Sequence, residues 1–266
     1  MIIWVYLMAN TNFEFRRILG QRVDATTYIT ATKQVLDWGQ AGRRAYVCAS
    51  NVHMVMEGCD DAELRQAVND ADLITADGMP LVWALRLLGL KEAERVYAPA
   101  LMEHILEVCA REQVPVGLYG SSEYVIQQLT TRLPQRFKEL QIAYACSPPY
   151  RALSDDEEQT VRDDIAKSGA KVLFVGLGCP KQEKWMARNK AAGLAIPTLG
   201  VGAAFDFLSG NKPQAPAIMQ QLGLEWLFRM VTEPRRLWYR YFYHNPRFIR
   251  KFTGQLLSSR HGLKRL

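Results

Sequence analysis

An acid, an amide and two glycine pairs each stand where a short apolar run ends. "ADLIT" (71–75) leads into "ADGMP", which sets Asp77 beside Gly78 and Pro80. A carboxylate at a strand end is placed to act as a general base on a hydroxyl. It could equally cap the helix that Pro80 opens. "RAYVCA" (44–49) leads into "SNVHMVM", which puts Ser50 and Asn51 in the same kind of position. Their hydroxyl and amide can bond sugar hydroxyls or a nucleotide, or cap the next helix. His53 follows one turn into that helix, where a packing or surface role is the ordinary reading. "KVLFVG" (171–176) runs into "GLGCPKQEKWM". Gly176 and Gly178 let the backbone approach a ligand closely. Pro180 opens a helix whose N-terminus favours phosphate, and Lys181 and Gln182 add a charge and an amide. "IPTLGVG" (196–202) ends in a second glycine pair that includes Gly202. Two glycine-rich strand ends side by side suit a nucleotide diphosphate, or else simply make tight turns.

Several other chemistries are disfavoured. The four histidines show no zinc spacing, so no metal site is expected. No D-x-D pair stands at a strand end to hold a metal–nucleotide, and there is no nucleophile elbow or Walker lysine loop. The full G-x-G-x-x-G fingerprint is missing, so no dinucleotide cofactor is expected. The five cysteines are odd in number and lack C-x-x-C spacing, which reads as reduced thiols in a cytosolic protein.

These residues need a sheet to position them. Six short apolar runs (44–49, 71–75, 115–120, 141–146, 171–176 and 196–202) read as strands covered on both faces. Helical patterns fall between them at 58–69, 80–89, 100–112, 122–139, 154–168 and 181–192. The helix at 154–168 carries its own signals: Ser154 as N-cap, acids in the first turn and Gly169 after the end. The alternation predicts an α/β fold, a Rossmann-like, doubly wound and mostly parallel sheet. In such sheets ligands bind outside the carboxyl ends of the strands, where the residues above lie.

After "FDFLSGNKPQAPA" the strands stop. Residues 1–214 read as a Rossmann-like catalytic body and 215–266 as a basic, aromatic helical appendage. "AIMQQLGLEWLFRMV" predicts one helix, ending near "TEP"; "RRLWYRYFYH" predicts another, stopped by "NP" because the residue before proline avoids the helical region. Residues 215–266 hold ten Lys/Arg and two Asp/Glu, a balance of +8, while the whole chain carries +6. That asymmetry points to an anionic partner for the tail. Nucleic acid fits the charge, but the near-neutral body argues against it. The start, "MIIWVYLMANTNFEFRR", has too short an apolar run to span a bilayer and reads as an extra strand or a loosely attached leader.

Three blocks, "DGMPLVWALRLLG", "LFVGLGCPKQEKWMARN" and "GVGAAFDFLSGNKPQAPAIMQQLGLEWLFRMVTEPRRLW", resemble the WecG/TagA/CpsF family of bacterial glycosyltransferases over about residues 19–241. The resemblance implies inverting, metal-independent transfer of a hexose or N-acetylhexosamine-type sugar. The donor would be a UDP-sugar and the acceptor a polyprenyl-diphosphate-linked saccharide, at the inner face of the cytoplasmic membrane. Transfer of N-acetylmannosamine or its uronate, as in teichoic acid or common antigen synthesis, is the alternative. Asp77 matches the family's proposed base. Asn51, Arg95, Tyr150 and Gln182 match substrate-binding positions, and Arg229, Arg236 and Arg240 would reach a diphosphate from the appendage. Arg247 and Arg250 would face anionic lipid. The chain departs from the family pattern at Ala49, at Pro80 in D-G-M-P, and at Ala98. Oligomeric state, including a homo-oligomer, stays open.

Overall fold

Six of the apolar runs pair as one parallel sheet, five of them almost wholly buried and the edge strand at 142–146 half-buried, because their backbone groups need neighbours. The computed structural model describes residues 13–263 other than 217 and 220–222; the side chains of Arg236 and of 259–263 also fall outside the described residues. The "MIIWVYLMAN" segment therefore lies outside them. The sheet strands are β3 (Ala45–Ser50), β4 (Leu73–Ala76), β5 (Val116–Gly120), β6 (Ile142–Cys146), β7 (Val172–Gly176) and β8 (Pro197–Gly200), in the order β4-β3-β8-β7-β5-β6. Every pairing between them is parallel.

Two elements precede the sheet. A hairpin, β1 (Phe15–Ile18) and β2 (Gln21–Asp24), turns at Leu19–Gly20, where both φ values are positive. Such a turn matches the strands' twist. Helix α1 (Tyr28–Gln40) opens with a Thr27/Thr30 capping box, a signal present in the sequence but masked by its β-branched residues. The stretch read as one helix over 58–69 is two, α2 (Val52–Asp60) and α3 (Ala62–Asn69). Asp61 breaks them apart: its backbone is extended and its carboxylate accepts the Leu64 N–H at 3.0 Å. The helices α4 (Met79–Leu87), α5 (Ala98–Arg111), α6 (Glu123–Arg136), α7 (Asp155–Ser168) and α8 (Lys181–Ala191) lie where the patterns put them. On α7 the Ser154–Glu157 capping box and a left-handed Gly169 stand as expected.

Alternate strand residues feed two cores. Val47, Leu73, Leu118, Phe174 and Leu199 pack with α1, α5 and α6 on one face; Tyr46, Cys48, Ile74, Tyr119 and Val175 pack with α3 and α8 on the other. A third core gathers the hairpin, α2, α4, and Phe248 and Phe252 from the end of the chain.

The last quarter is helical. After α9 (Ala204–Leu208) and a turn at Gly223 come α10 (Glu225–Thr232) and α11 (Pro234–Tyr239). A π-helical turn (Arg240–His244) then runs straight into α12 (Asn245–Leu263). The expected stop at Asn245–Pro246 is thus not made. A π turn bonds five residues back and widens the helix, and proline is tolerated where a helical segment begins. The turn and α12 are held to the body: Arg247 forms a two-pronged ion pair with Asp60 of α2.

Candidate active site

The register of the sheet brings the acid and the amide together. Ser50 pairs with Ala76 across β3 and β4, so Asn51 and Asp77, each one residue further on, emerge side by side. Asn51 is the N-cap of α2 and accepts the Met54 N–H at 3.3 Å. Its amide nitrogen also donates to Asp77 Oδ2 at 3.4 Å, and its oxygen accepts from Arg240 Nη2 at 3.0 Å. Capping and site-building are therefore the same job for this residue. Asp77 does not cap α4, whose N-cap is Gly78 without a side-chain bond. Its Oδ1 instead accepts the Ala98 N–H at the start of α5, at 2.7 Å. Burial raises the Asp77 pKa, and the Arg95 charge and these bonds oppose the rise. A carboxylate so placed has increased proton affinity, as a general base requires.

A cavity of about 290 Å³ opens over these strand ends, lined by Asn51 and Asp77, by Gly178 and Gln182 after β7, and by Gly200 and Gly202 at β8. Arg229 of α10 and Arg240 close it from the C-terminal side. A smaller cavity of about 110 Å³ shares Asn51, Asp77, Arg229 and Arg240, and is otherwise walled by Gly78, Met79, Pro80, Trp226 and Tyr241. Asp77 thus stands between two spaces. Gln182 is held from both ends: its oxygen accepts the Gly178 N–H at 3.2 Å and its nitrogen donates to the buried Glu183 at 2.8 Å. Gly178 takes φ +77°, the left-handed region where only glycine is unstrained. The Arg229 Nε is buried without a hydrogen-bond partner, and its guanidinium lies 5.7 Å from the Phe207 ring centre. Burial lowers the Arg240 pKa, and Arg229 adds to that effect. Two desolvated cations thus border the glycine-rich wall of the cavity.

A model of the glycosyl transferase WecG/TagA/CpsF family matches residues 16–262. The chain belongs to that family. It is therefore a glycosyltransferase, as the motif blocks implied. It is similar to the N-acetylglucosaminyldiphosphoundecaprenol N-acetyl-beta-D-mannosaminyltransferases of Staphylococcus aureus strains NCTC 8325 / PS 47, COL and MSSA476. Each is 26% identical over 222 residues, covering 83% of this chain and 85% of the relative.

Within this WecG/TagA/CpsF member, the sequence-predicted residues divide. Asp77, Asn51, Gly178, Gln182, Gly202, Arg229 and Arg240 meet at the cleft. Ser50 does not: it is fully buried and bonded to Gln21 of the hairpin, because its position in β3 points under the sheet end. Gly176 is a packing glycine rather than a ligand contact; a Cβ there would lie 2.4 Å from the Phe205 ring. Lys181 and Tyr150 sit outside the cavity, the ammonium 4.4 Å from the ring centre. Lys181 is on the exposed side of α8, whose buried side carries Gln182 and Glu183. Arg95 is not free for a phosphate: it donates to the Asp77 carbonyl at 2.6 Å and to Glu225 at 2.7 Å. Arg247 is taken by Asp60 rather than facing outward to lipid. Arg236 lies in α11, with its side chain outside the described residues.

Glu225 was missed by sequence reasoning. It is 6% exposed and gathers Arg95, the Tyr97 hydroxyl at 2.8 Å and, at 4.0 Å, Arg229. Its only sequence signal is an acid inside an apolar helix pattern, "GLEWLF". His53 also lines both cavities, which its place on a helix could not reveal.

Proposed function

We propose that this family member transfers an N-acetylmannosamine-type sugar from a UDP-sugar to a polyprenyl-diphosphate-linked N-acetylglucosamine. The carrying observation is Asp77, a carboxylate of raised proton affinity standing between two cavities, with two cations on the same wall. The donor diphosphate occupies the larger cavity, against the glycine loops after β7 and β8. The acceptor enters the smaller one. Asp77 takes the proton from the acceptor hydroxyl as its oxygen bonds the anomeric carbon. The bond from that carbon to the diphosphate oxygen breaks, and UDP leaves with the electron pair. A single displacement inverts the anomeric centre. Arg229, Arg240 and backbone N–H groups meet the leaving-group charge without a metal ion. The names of the similar Staphylococcus aureus enzymes support this sugar and acceptor.

A hexose donor in exopolysaccharide synthesis is the second reading. It is favoured by Pro80 in D-G-M-P, which removes a backbone N–H beside Asp77.

The enzyme works at a membrane surface, from the inner face of the cytoplasmic membrane. No helix among the described residues is long and apolar enough to cross a bilayer. Trp226, Trp238, Phe242 and Ile249 are exposed on the C-terminal helices, with Arg235, Arg250 and Lys251 exposed near them. Aromatic rings at headgroup depth and cations toward anionic lipid give such a surface its affinity.

The test is a screen of UDP-N-acetylmannosamine and UDP-hexoses against a short-chain polyprenyl-diphosphate N-acetylglucosamine, read by mass spectrometry. Asp77→Asn abolishes transfer while UDP still binds. Near-normal turnover by that variant would remove Asp77 from the mechanism.

A further inference from the structure

Three side chains from opposite ends of the chain converge on the wall between α2 and the π turn. His53 and Glu57 lie one helical turn apart on α2, and His244 is the last residue of the π turn. His244 Nε2 lies 3.2 Å and His53 Nδ1 3.7 Å from the same Glu57 oxygen. One ligand atom from each residue falls within 4.8 Å of the others. Tetrahedral zinc bound at its usual bond lengths near 2.0–2.1 Å holds its ligand atoms about 3.3 Å apart, so little movement closes the site.

The polar bookkeeping of the cluster is incomplete as it stands. His244 is 2% exposed, and neither of its ring nitrogens has a hydrogen-bond partner; His53 Nδ1 is likewise buried and unbonded. Buried polar atoms are nearly always satisfied, so two unbonded nitrogens, His53 Nδ1 and His244 Nε2, facing one carboxylate point to a missing partner. Packing alone would not select two imidazoles here, with ring centres 5.3 Å apart.

We propose that His53, Glu57 and His244 form a zinc site that clamps the C-terminal helices to the body. Two imidazoles and one carboxylate suit a borderline-soft divalent ion. Arg240 does not occupy the site; its guanidinium is turned to Asn51. Because Arg240 begins the π turn and His244 ends it, fixing His244 on α2 also fixes Arg240 at the cleft. The ion has a holding role and no part in the leaving-group chemistry. The proposal does not depend on which sugar is transferred.

The experiment uses the full chain, stripped with chelator and then loaded with Zn²⁺ or, as a spectroscopic probe, Co²⁺. The expected result is one metal per chain by elemental analysis after gel filtration. Visible d–d absorption of tetrahedral intensity appears with Co²⁺ and is displaced by Zn²⁺. Zinc protects the basic segment 235–251 from trypsin, and chelator removes the protection. His244→Gln binds no metal. Should that variant fail to fold, Glu57→Gln, altered at a half-exposed side chain, loses at least tenfold in zinc affinity. A wild-type chain that retains no metal, or a folded Glu57→Gln with unchanged affinity, overturns the site.

Discussion

Glu225→Ala removes the acid that joins the C-terminal helices to the loops around Asp77. Glu225 accepts from Arg95 at 2.7 Å and from the Tyr97 hydroxyl at 2.8 Å, and the Arg95 and Glu225 side chains are 17% and 8% exposed. Truncation leaves a desolvated guanidinium facing an empty site. Breaking a buried pair in this way costs about 3–5 kcal/mol, and the orphaned hydroxyl falls within that figure since the two losses share one space. Taking about 4 kcal/mol, and roughly 2–4 °C per kcal/mol for a chain of this size, the melting temperature drops by roughly 8–16 °C. Circular dichroism melts at fixed protein concentration measure it. Glu225→Gln keeps an acceptor for Tyr97 and falls between the two proteins. Arg95→Met combined with Glu225→Leu recovers part of the loss, because the Arg95 guanidinium is removed together with the acid it donates to. A drop below about 3 °C for Glu225→Ala corresponds to the ~1 kcal/mol of an exposed pair. That result would mean the joint is open to water in solution, and the reasoning about a closed cleft would fail.

Gly176→Ala drives a methyl into the Phe205 ring and costs about 1–3 kcal/mol by overpacking; a chemical denaturation midpoint equal to the parent's would contradict that contact. The pH profile of kcat/KM has an acid limb set by Asp77. Its pKa is raised by burial, so the active carboxylate is lost, as pH falls, at a higher pH than the ordinary 3.8 would give. By the same sign, the protonated form is favoured by folding, and the stability tied to it disappears as pH rises through the folded pKa. An acid limb at or below the ordinary value rejects Asp77 as the base. Trp238→Ser and Phe242→Ser lie outside both cavities and weaken partition to anionic vesicles by roughly tenfold each, through lost apolar burial. Turnover on a water-soluble short-chain acceptor stays unchanged, and a parallel loss of that turnover would refute a purely interfacial role.

Much of the frame was legible because burial on two faces forces near-continuous apolar runs, and six of these became strands close to their expected limits. The Ser154 cap and Gly169 stop of α7 were readable for a local reason: caps satisfy backbone groups within one turn. The hairpin and α1 were less visible, since a turn through Leu19 and a helix that opens on Ile29, Thr30 and Thr32 use residues without strong local preference for those roles. The Asn245–Pro246 stop misled because a widened helical turn before the proline accommodates what an ordinary α-turn cannot.

Residue types at strand ends, read in one dimension, were enough to single out Asp77 and Asn51 as candidates, each with a helix cap as its alternative, while the base role and the appendage arginines came from the family resemblance. Residue types could not distinguish Arg240, which enters the cleft, from Arg95 and Arg247, which are consumed by Glu225 and Asp60. A guanidinium's role depends on which carboxylate the fold brings within reach, and those partners lie 130 and 187 positions away. For the same reason spacing along the chain showed no metal site, while His53, Glu57 and His244 meet in space. Local chemistry and hydrophobic period belong to the sequence itself. The pairing of charges across the whole length of the chain was decided by packing the final helices onto the sheet's carboxyl edge.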